Sequence, residues 1–357
     1  MPSVLIASSR NWMGVARLPS TLSAAGISVD LLDRGGTMAA ASSRVRAHIA
    51  VAGTAEDVAE RLMEMAPRYD RALACDEPLL SALCATGDPR ATSVLPARPD
   101  VLGVLLDKTT FPAAAAAAGL RVPRSVVVGR VDEVPAVFDS FGSPVIVKGR
   151  HGFGGNAVRS AETTAEAAAA VRAVGLPALI EERVSGLVAL MPCLFERGEV
   201  VGAFAADKLR TAGPFGPSTI NRLRPVGPGL LEVARLAGLA FGLHGFASID
   251  FFEPAGGGAP IVIELNLRPV PQLHVGRRVG VDMAALLRDV LSKRFDGITR
   301  CGRAGPSVIL FPQELQRLRS EHRTVGGTMR WLGMRGAAAD VPWGDASLAW
   351  RHLSRRD

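Results

Sequence analysis

The apolar positions at the start of the chain come in short runs. Residues 4–7 read as a strand, the polar Ser8, Ser9, Arg10 and Asn11 as a loop, and the following stretch as a helix that ends near Gly26. A second strand over 28–32 completes strand, helix and strand, the order of a right-handed βαβ unit. A run over 45–51, a helix over 55–66 and a strand over 71–74 continue the alternation. These elements predict an open α/β domain, Rossmann-like in outline, over residues 1–103. No GxGxxG follows the first strand, which removes the dinucleotide fingerprint and argues against a dehydrogenase.

The pattern changes near residue 104. The alanine run 113–118 predicts a helix that stops at Gly119. Strands follow over 125–128 and 145–148 around a short helix at 132–141; then come a helix at 163–174, a strand at 178–181 and an apolar hairpin over 188–206 turning at Gly198. Short strands of this kind predict an α+β domain over 104–299, with a smaller part at about 110–180 and a larger one at about 181–299. Residues 300–357 form a basic, arginine-rich extension with a helix over 313–323 and a turn at Trp343 and Gly344. No repeat or low-complexity linker interrupts the chain.

A length of 357 residues suits two or three domains, and 48% hydrophobic with 21% charged residues is an ordinary balance for a folded chain. No uninterrupted apolar run reaches the roughly 18 residues a membrane span needs, and the first residues lack a basic flank, so the expectation is a cytoplasmic protein without a membrane partner. Four cysteines stand far apart with no CxxC pair, and free thiols are expected. The net charge is +7, from 41 basic against 34 acidic residues. That excess is spread along the chain, and aromatics are 5% with a single tyrosine, so no stacking platform for nucleic acid is visible. Nucleic-acid binding would rest on charge alone; an anionic small molecule explains the sign equally well.

The strongest chemical signal is a predicted hairpin: 248–252, a turn at Gly256, Gly257 and Gly258, then 261–268. Asp250 and Glu264 stand equally far from Gly257 and should face each other, to within one residue for a bulge. A period of two puts Glu264, Asn266 and Arg268 on that face and sends Ile263, Leu265 and Leu267 into the core. Two carboxylates brought together repel unless a cation lies between them, and Mg²⁺ takes one or two carboxylates beside water and phosphate oxygens. A solvated face with Arg268 paired to Glu264 is the plainer alternative. A second signal is Lys148 at a strand end, followed by Gly152, Gly154 and Gly155, where backbone N–H groups could approach phosphate; the P-loop pattern itself is absent. A third is Glu181, Glu182 and Val184 after an apolar strand, a place where an adenine could be flanked. Asp76 and Glu77 lie at the carboxyl edge of the first sheet and read as a polar loop.

In this order the motifs resemble the ATP-grasp superfamily over about residues 104–290, with a pre-ATP-grasp α/β domain ahead of them. Asp107 and Lys108 look like that family's "DK" pair. The resemblance implies that Lys108, Lys148, Gly152, Gly154 and Gly155 contact the nucleotide's phosphates, and that Glu181, Glu182 and Val184 hold the adenine. Asp250, Glu264 and Asn266 then ligate Mg²⁺, with Mn²⁺ as a substitute, and Arg268 completes the E-x-N-x-R form of the motif. Where the family commonly places a ribose-contacting glutamate, this chain has Val188; where D-alanine ligases place an arginine, it has Ser248.

The implied activity is ligation driven by ATP and Mg²⁺. A small-molecule carboxylate becomes an acyl phosphate, ADP and phosphate are released, and an amine attacks. Arg268 is assigned to the substrate carboxylate or the developing phosphate. Lys208 and Arg210, with Asn221, are assigned to further contacts from the polar stretch 207–224. A homodimer is among the assemblies expected. A nucleotide-binding sensor that ligates nothing is the alternative reading, favoured by Val188.

Overall fold

The computed structural model describes residues 1–354 apart from 143, 153 and 255–257. Gly256 and Gly257 of the expected hairpin turn, and Phe153 of the glycine loop, therefore lie outside the described residues. The chain opens with four parallel strands, β1 (Ser3–Ser8), β2 (Ser28–Asp33), β3 (Ala47–Ala50) and β4 (Arg71–Ala74), in the order β3-β2-β1-β4. Val4, Leu5, Ile6 and Ala7 of β1 are all fully buried because both faces of a parallel sheet are covered. Leu5 and Ala7 join the core beneath the helices Ala55–Met65 and Glu77–Thr86, while Val4 and Ile6 join the core beneath Leu18–Ala24. The strand order reverses between β1 and β4, the point at whose carboxyl edge open α/β sheets bind ligands.

A second sheet is antiparallel throughout, with β5 (Ser125–Val128), β6 (Val145–Gly149), β7 (Val158–Ala161) and β8 (Ala178–Glu182) in the order β5-β8-β6-β7. Val145, Val147, Ala178 and Ile180 pack beneath the helices Val134–Phe141 and Thr164–Val174. Strand alternation then turns Ile146, Lys148, Leu179 and Glu181 to the uncovered face.

The third sheet is built on β9 (Val188–Glu196), β10 (Glu199–Ala203), β11 (Ala205–Thr211), β12 (Ser218–Arg224), β13 (Gly245–Phe252) and β14 (Ile261–Asn266). The β9–β10 turn has Arg197 at φ 50° and Gly198 at φ 87°, two left-handed residues of the kind a tight hairpin needs. The polar stretch 207–224, to which no element was assigned from the sequence, is the β11–β12 hairpin, so Lys208, Arg210 and Asn221 sit on strands. On β9, Ala189, Met191, Cys193 and Phe195 face the helix Pro228–Phe241, and Leu190 and Leu194 face the core beneath Met283–Leu291.

Residues 300–354 are tied into this third sheet. β15 (Arg300–Cys301) pairs with β10, and β16 (Ser307–Ile309) extends the sheet beyond β12. The helix expected over 313–323 runs Gln313–Leu332, with a kink at His322 and Arg323. Phe311, Leu315, Leu318, Trp331, Val341 and Ala349 give this part its own core. Asp340, 3% exposed, ties it to the rest. Its carboxylate accepts from Arg17 Nη1 at 2.9 Å, from the Phe311 amide at 3.0 Å, and meets His274 Nε2 at 2.9 Å. Burial pushes the Asp340 carboxyl up, but His274 and Arg17 outweigh it and hold it below its ordinary value. Among the described residues no helix is long and apolar enough to cross a membrane.

Removing one partner from a buried charge network strands the others. Asp340→Ala should therefore destabilise the fold by about 3–5 kcal/mol, read as a lowered urea midpoint. A midpoint equal to wild type would show that the three elements are held together by apolar packing alone.

Candidate functional site

The three sheets meet around a cleft of about 800 Å³. Its floor is the β13–β14 hairpin, where Asp250 pairs directly with Glu264 and Ser248 with Asn266. The register slips by one residue past Asp250, so Phe251 faces Val262. That bulge corrects one expectation. Ile263 does not enter the core; it lines the cleft beside Glu264, and Val262 takes the core position instead. Leu265 and Leu267 pack inward as expected.

Each acidic group of the cleft meets a cation from a different part of the chain. Lys108, from the turn before the helix Phe111–Ala117, places Nζ 2.8 Å from Glu264 Oε1 and donates to the Gly152 carbonyl at 2.9 Å. Lys148, from β6, lies 2.6 Å from Glu181 Oε1 on β8. Lys208, from β11, lies 2.5 Å from Asp250 Oδ2. Arg268, just beyond β14, donates to Asn266 Oδ1 at 3.2 Å and to Glu77 Oε1 at 3.1 Å. Its guanidinium stacks over the Trp12 ring, 4.3 Å from the centroid. Glu77 is thus part of the site, whereas Asp76 is structural: it accepts from the Ser9 amide at 2.6 Å and from the Leu79 amide at 3.0 Å, fixing the loop at the end of β1.

The opposed carboxylates carry opposite shifts. Burial raises Asp250, against Lys208, and the facing Glu264 charge adds to the rise. Burial also raises Glu264, but Lys108, Lys148 and Lys208 together outweigh it and hold the carboxyl at about 2. Lys108 is pulled down by burial and held above its ordinary value by the Glu264 carboxylate. Glu181 is raised by burial, with Lys148 opposing.

The nucleotide-contact candidates largely converge. Lys148, Gly154, Gly155, Glu181, Glu182 and Val184 all line the cleft, and the segment from Arg183 to Gly186 joins the second sheet to the third. Apolar side chains from both sides, Ile146 and Val158 above and Leu190, Phe252 and Ile263 below, offer a slot for a flat ring. Gly155, at φ 77°, lies so close to the turn between β11 and β12 that an added Cβ would stand 2.1 Å from the Phe215 carbonyl oxygen. Lys108 opens onto a small side pocket that it shares with Lys148 and Glu264. Gly152 turns its carbonyl to Lys108 and is not in the cleft wall. The register slips between Lys208 and Arg210, and Arg210 leaves the cleft to meet Glu314 Oε1 at 3.2 Å. Asn221 is buried on β12 and also lies outside the cleft wall.

Of the wall nearest Trp12, sequence reasoning named Ser248 and missed the other residues. There Trp12, Ser218, Ser248, Gln272 and Gln313 line the cleft. Trp12 follows the loop at the carboxyl end of β1, where the reversal of strand order is the one usable signal. Among the described residues, Trp12 Nε1, Ser248 Oγ, Gln272 Oε1 and Gln313 Oε1 are buried without a hydrogen-bond partner. Each such group costs about 1–3 kcal/mol while unpaired.

Among the described residues no three His, Cys, Asp or Glu side chains form a ready metal cage. The oxygen set on the hairpin is two facing carboxylates and an amide, which suits a hard cation that completes its shell with water and phosphate.

No protein-family model matches the chain, and no curated protein sequence does. Solved structures do. An N5-carboxyaminoimidazole synthetase from Staphylococcus aureus complexed with ADP matches with a TM-score of 0.69 and 13% identity, over 90% of this chain and 86% of that one. The L-amino acid ligase from Bacillus licheniformis matches with a TM-score of 0.63 and 17% identity, over 87% and 80%. The biotin carboxylase domain of the Hydrogenobacter thermophilus 2-oxoglutarate carboxylase, in complex with MgADP, ADP and bicarbonate, matches with a TM-score of 0.61 and 16% identity, over 83% and 71%. These are ATP-grasp structures, and this chain has the ATP-grasp fold, with the parallel sheet preceding it.

The Glu264 shift has a direct consequence for acid stability. Its carboxyl lies below the ordinary 4.5, so its pairing adds stability that is whole above pH 4.5 and is lost as the pH falls toward 2. Lys108→Met removes the main partner. The gap in urea midpoint between wild type and Lys108→Met should narrow steadily from pH 5 to pH 2, and a gap independent of pH would refute the pairing.

Proposed function

We propose that this protein is an ATP- and Mg²⁺-dependent ligase that activates a carboxylate as an acyl phosphate for attack by an amine, on an amino acid or another small molecule. The observation that carries this reading is the Asp250–Glu264 pair, opposed on one hairpin at the floor of a cleft where Lys148, Lys208 and Arg268 also stand. The fold it shares with a synthetase complexed with ADP and with an L-amino acid ligase supports the same reading.

Charge is the obstacle such a reaction must overcome. A carboxylate oxygen approaches the γ-phosphate of ATP, one anion toward another, and the bond from phosphorus to the β–γ bridging oxygen breaks as the new P–O bond forms. Phosphoryl transfer of this kind depends on positioning and on stabilised charge. Lys148 and Lys208 contribute ammonium groups to the phosphates, and Lys108 reaches the same region through the side pocket it shares with Lys148 and Glu264. Asp250, Glu264 and Asn266 would hold Mg²⁺, which when bound supplies further neutralisation of phosphate charge. Arg268 presents a planar fork to the substrate carboxylate. The amine nitrogen then attacks the acyl carbon; the C–N bond forms, the C–O bond to phosphate breaks, phosphate leaves with the electron pair, and the amine gives up a proton. Glu181, Glu182 and Val184 are assigned to the adenine.

Separating the nucleotides after incubation with MgATP, pooled small carboxylates and amines tests the reading. Substrate-dependent ADP with phosphate is expected. AMP with pyrophosphate would replace this chemistry by adenylation, and ATP binding without turnover would leave a sensor. Glu264→Gln should lower ADP release by ~10²-fold or more, by analogy with the loss of one charge-stabilising group, in a protein that still unfolds cooperatively, with a urea midpoint at pH 7 lowered by the loss of the Lys108 pairing. Wild-type turnover in that variant would remove Glu264 from the site.

A further inference from the structure

Arg268 stands just beyond β14, yet Trp12 and Glu77, which both touch it, come from the carboxyl edge of the first sheet. Trp12 follows the loop after β1, and Glu77 opens the helix Glu77–Thr86 after β4. β1 and β4 are neighbours in that sheet, and the loops that follow them are tied together. Ser8 Oγ donates to Asp76 Oδ2 at 2.8 Å, and Ser9 Oγ to Asp76 Oδ1 at 2.6 Å. The guanidinium is thus met from one braced edge.

The two contacts constrain different things. Both hydrogen bonds of Arg268 leave from Nη2, to Glu77 Oε1 at 3.1 Å and to Asn266 Oδ1 at 3.2 Å. They fix that nitrogen, but a planar group held at one nitrogen can still turn about it. The Trp12 ring, with its centroid 4.3 Å from the guanidinium carbon, fixes the plane, because a guanidinium lies flat on an aromatic face. The N–H groups on Nη1 and Nε make no bond among the described residues and are left for a ligand.

The local sequence makes room for the ring. Gly14, in the helix Met13–Ala16, has no Cβ; one built there would stand 1.9 Å from Trp12 Cη2. The indole therefore occupies the space that any larger residue at 14 would take. Trp12 Nε1 is buried without a hydrogen-bond partner among the described residues, so no hydrogen bond holds the ring. Apolar packing and the cation hold it.

We propose that Trp12 is a positioning residue for the ligation, its ring setting the plane in which Arg268 meets the substrate carboxylate. The inference rests on the ligase reading given above, in which Arg268 binds that carboxylate. Orientation matters because the carboxylate oxygen must approach the γ-phosphorus in line with the departing bridge oxygen. Arg268 follows directly on the hairpin that carries Asp250 and Glu264, so a fixed guanidinium plane fixes the substrate relative to the phosphate-binding groups. A guanidinium free to turn would hold the carboxylate in several poses, few of them reactive.

The probe is MgATP with an equimolar mixture of the twenty common L-amino acids, each carrying both a carboxylate and an amine, followed by the single amino acids that support ADP release. Mixture-dependent ADP release is expected of wild type. In Trp12→Leu, kcat/KM for the amino acid should fall about tenfold or more, while KM for ATP stays within about twofold. Trp12→Phe keeps a ring face and should recover most of that loss. Gly14→Ala changes no side chain of the cleft wall but crowds the ring, and should lower kcat/KM in the same selective way. Arg268→Lys keeps the charge and has no plane to set, so adding Trp12→Leu to it should cost less than about twofold. The same fold-loss from Trp12→Leu in both backgrounds would place Trp12 on the substrate itself and overturn the positioning role. A wild-type kcat/KM in both Trp12→Leu and Gly14→Ala would make the ring a packing element, overturning the assignment and leaving the ligase reading standing. ATP binding without mixture-dependent ADP release would overturn the ligation of amino acids, and this assignment with it.

Discussion

Asp250 and Glu264 face each other across one antiparallel pair, and their mutual repulsion is the constraint around which the rest of the cleft is organised. Neither carboxylate could lie there unpaired. The fold answers by bringing Lys108 from the turn after the first domain, Lys148 from the second sheet and Lys208 from the third into one alternating array with Glu181. No short stretch of sequence could supply that array. Lys148 and Glu181 pair within the second sheet and Lys208 and Asp250 within the third, while Lys148 Nζ also donates to the Ile263 carbonyl at 3.4 Å and Lys108 joins Glu264 to the Gly152 carbonyl, so these two lysines link the second sheet to the hairpin. The same arrangement leaves the lysines exchangeable, because a phosphate can replace a carboxylate as partner without a change in the number of cations buried.

Much of this was legible in the residues. The hairpin could be read because strand period two and the distances of Asp250 and Glu264 from the glycine turn both specify one register, and that register is the one found. Lys148 and Glu181 were legible for a simpler reason, as charged residues at the ends of apolar strands, and they lie near the ends of β6 and β8. The exception is instructive. A single bulge after Asp250 exchanges Ile263 and Val262 between cleft and core, and no local residue preference marks where a bulge falls.

The rest was hidden by composition or by distance along the chain. The β11–β12 hairpin carries charged residues on its strands and Gly213, Pro214, Gly216 and Pro217 in its turn, so its composition does not mark it as strand. Lys208 and Arg210 share a strand, and a register slip between them sends one to Asp250 and the other to Glu314. Trp12 lies 260 residues before Gln272, and Gln313 41 residues beyond it, and nothing near any of them in sequence marks that they line the same cleft. Asp340 likewise looks like one acidic residue in a basic extension until its partners Arg17 and His274 are seen.

Asp340 fixes the place of the C-terminal segment by the same logic of compensated charge. It is 3% exposed and binds Arg17 of the first domain, His274 and the Phe311 amide at once. Those partners come from three separate parts of the chain, and a buried carboxylate deprived of them would stand uncompensated. The segment 300–354 is therefore held against the first domain and against the stretch after β14 by one charge that has no other place to be satisfied, and that anchoring carries Gln313, two residues past Phe311, to the cleft wall.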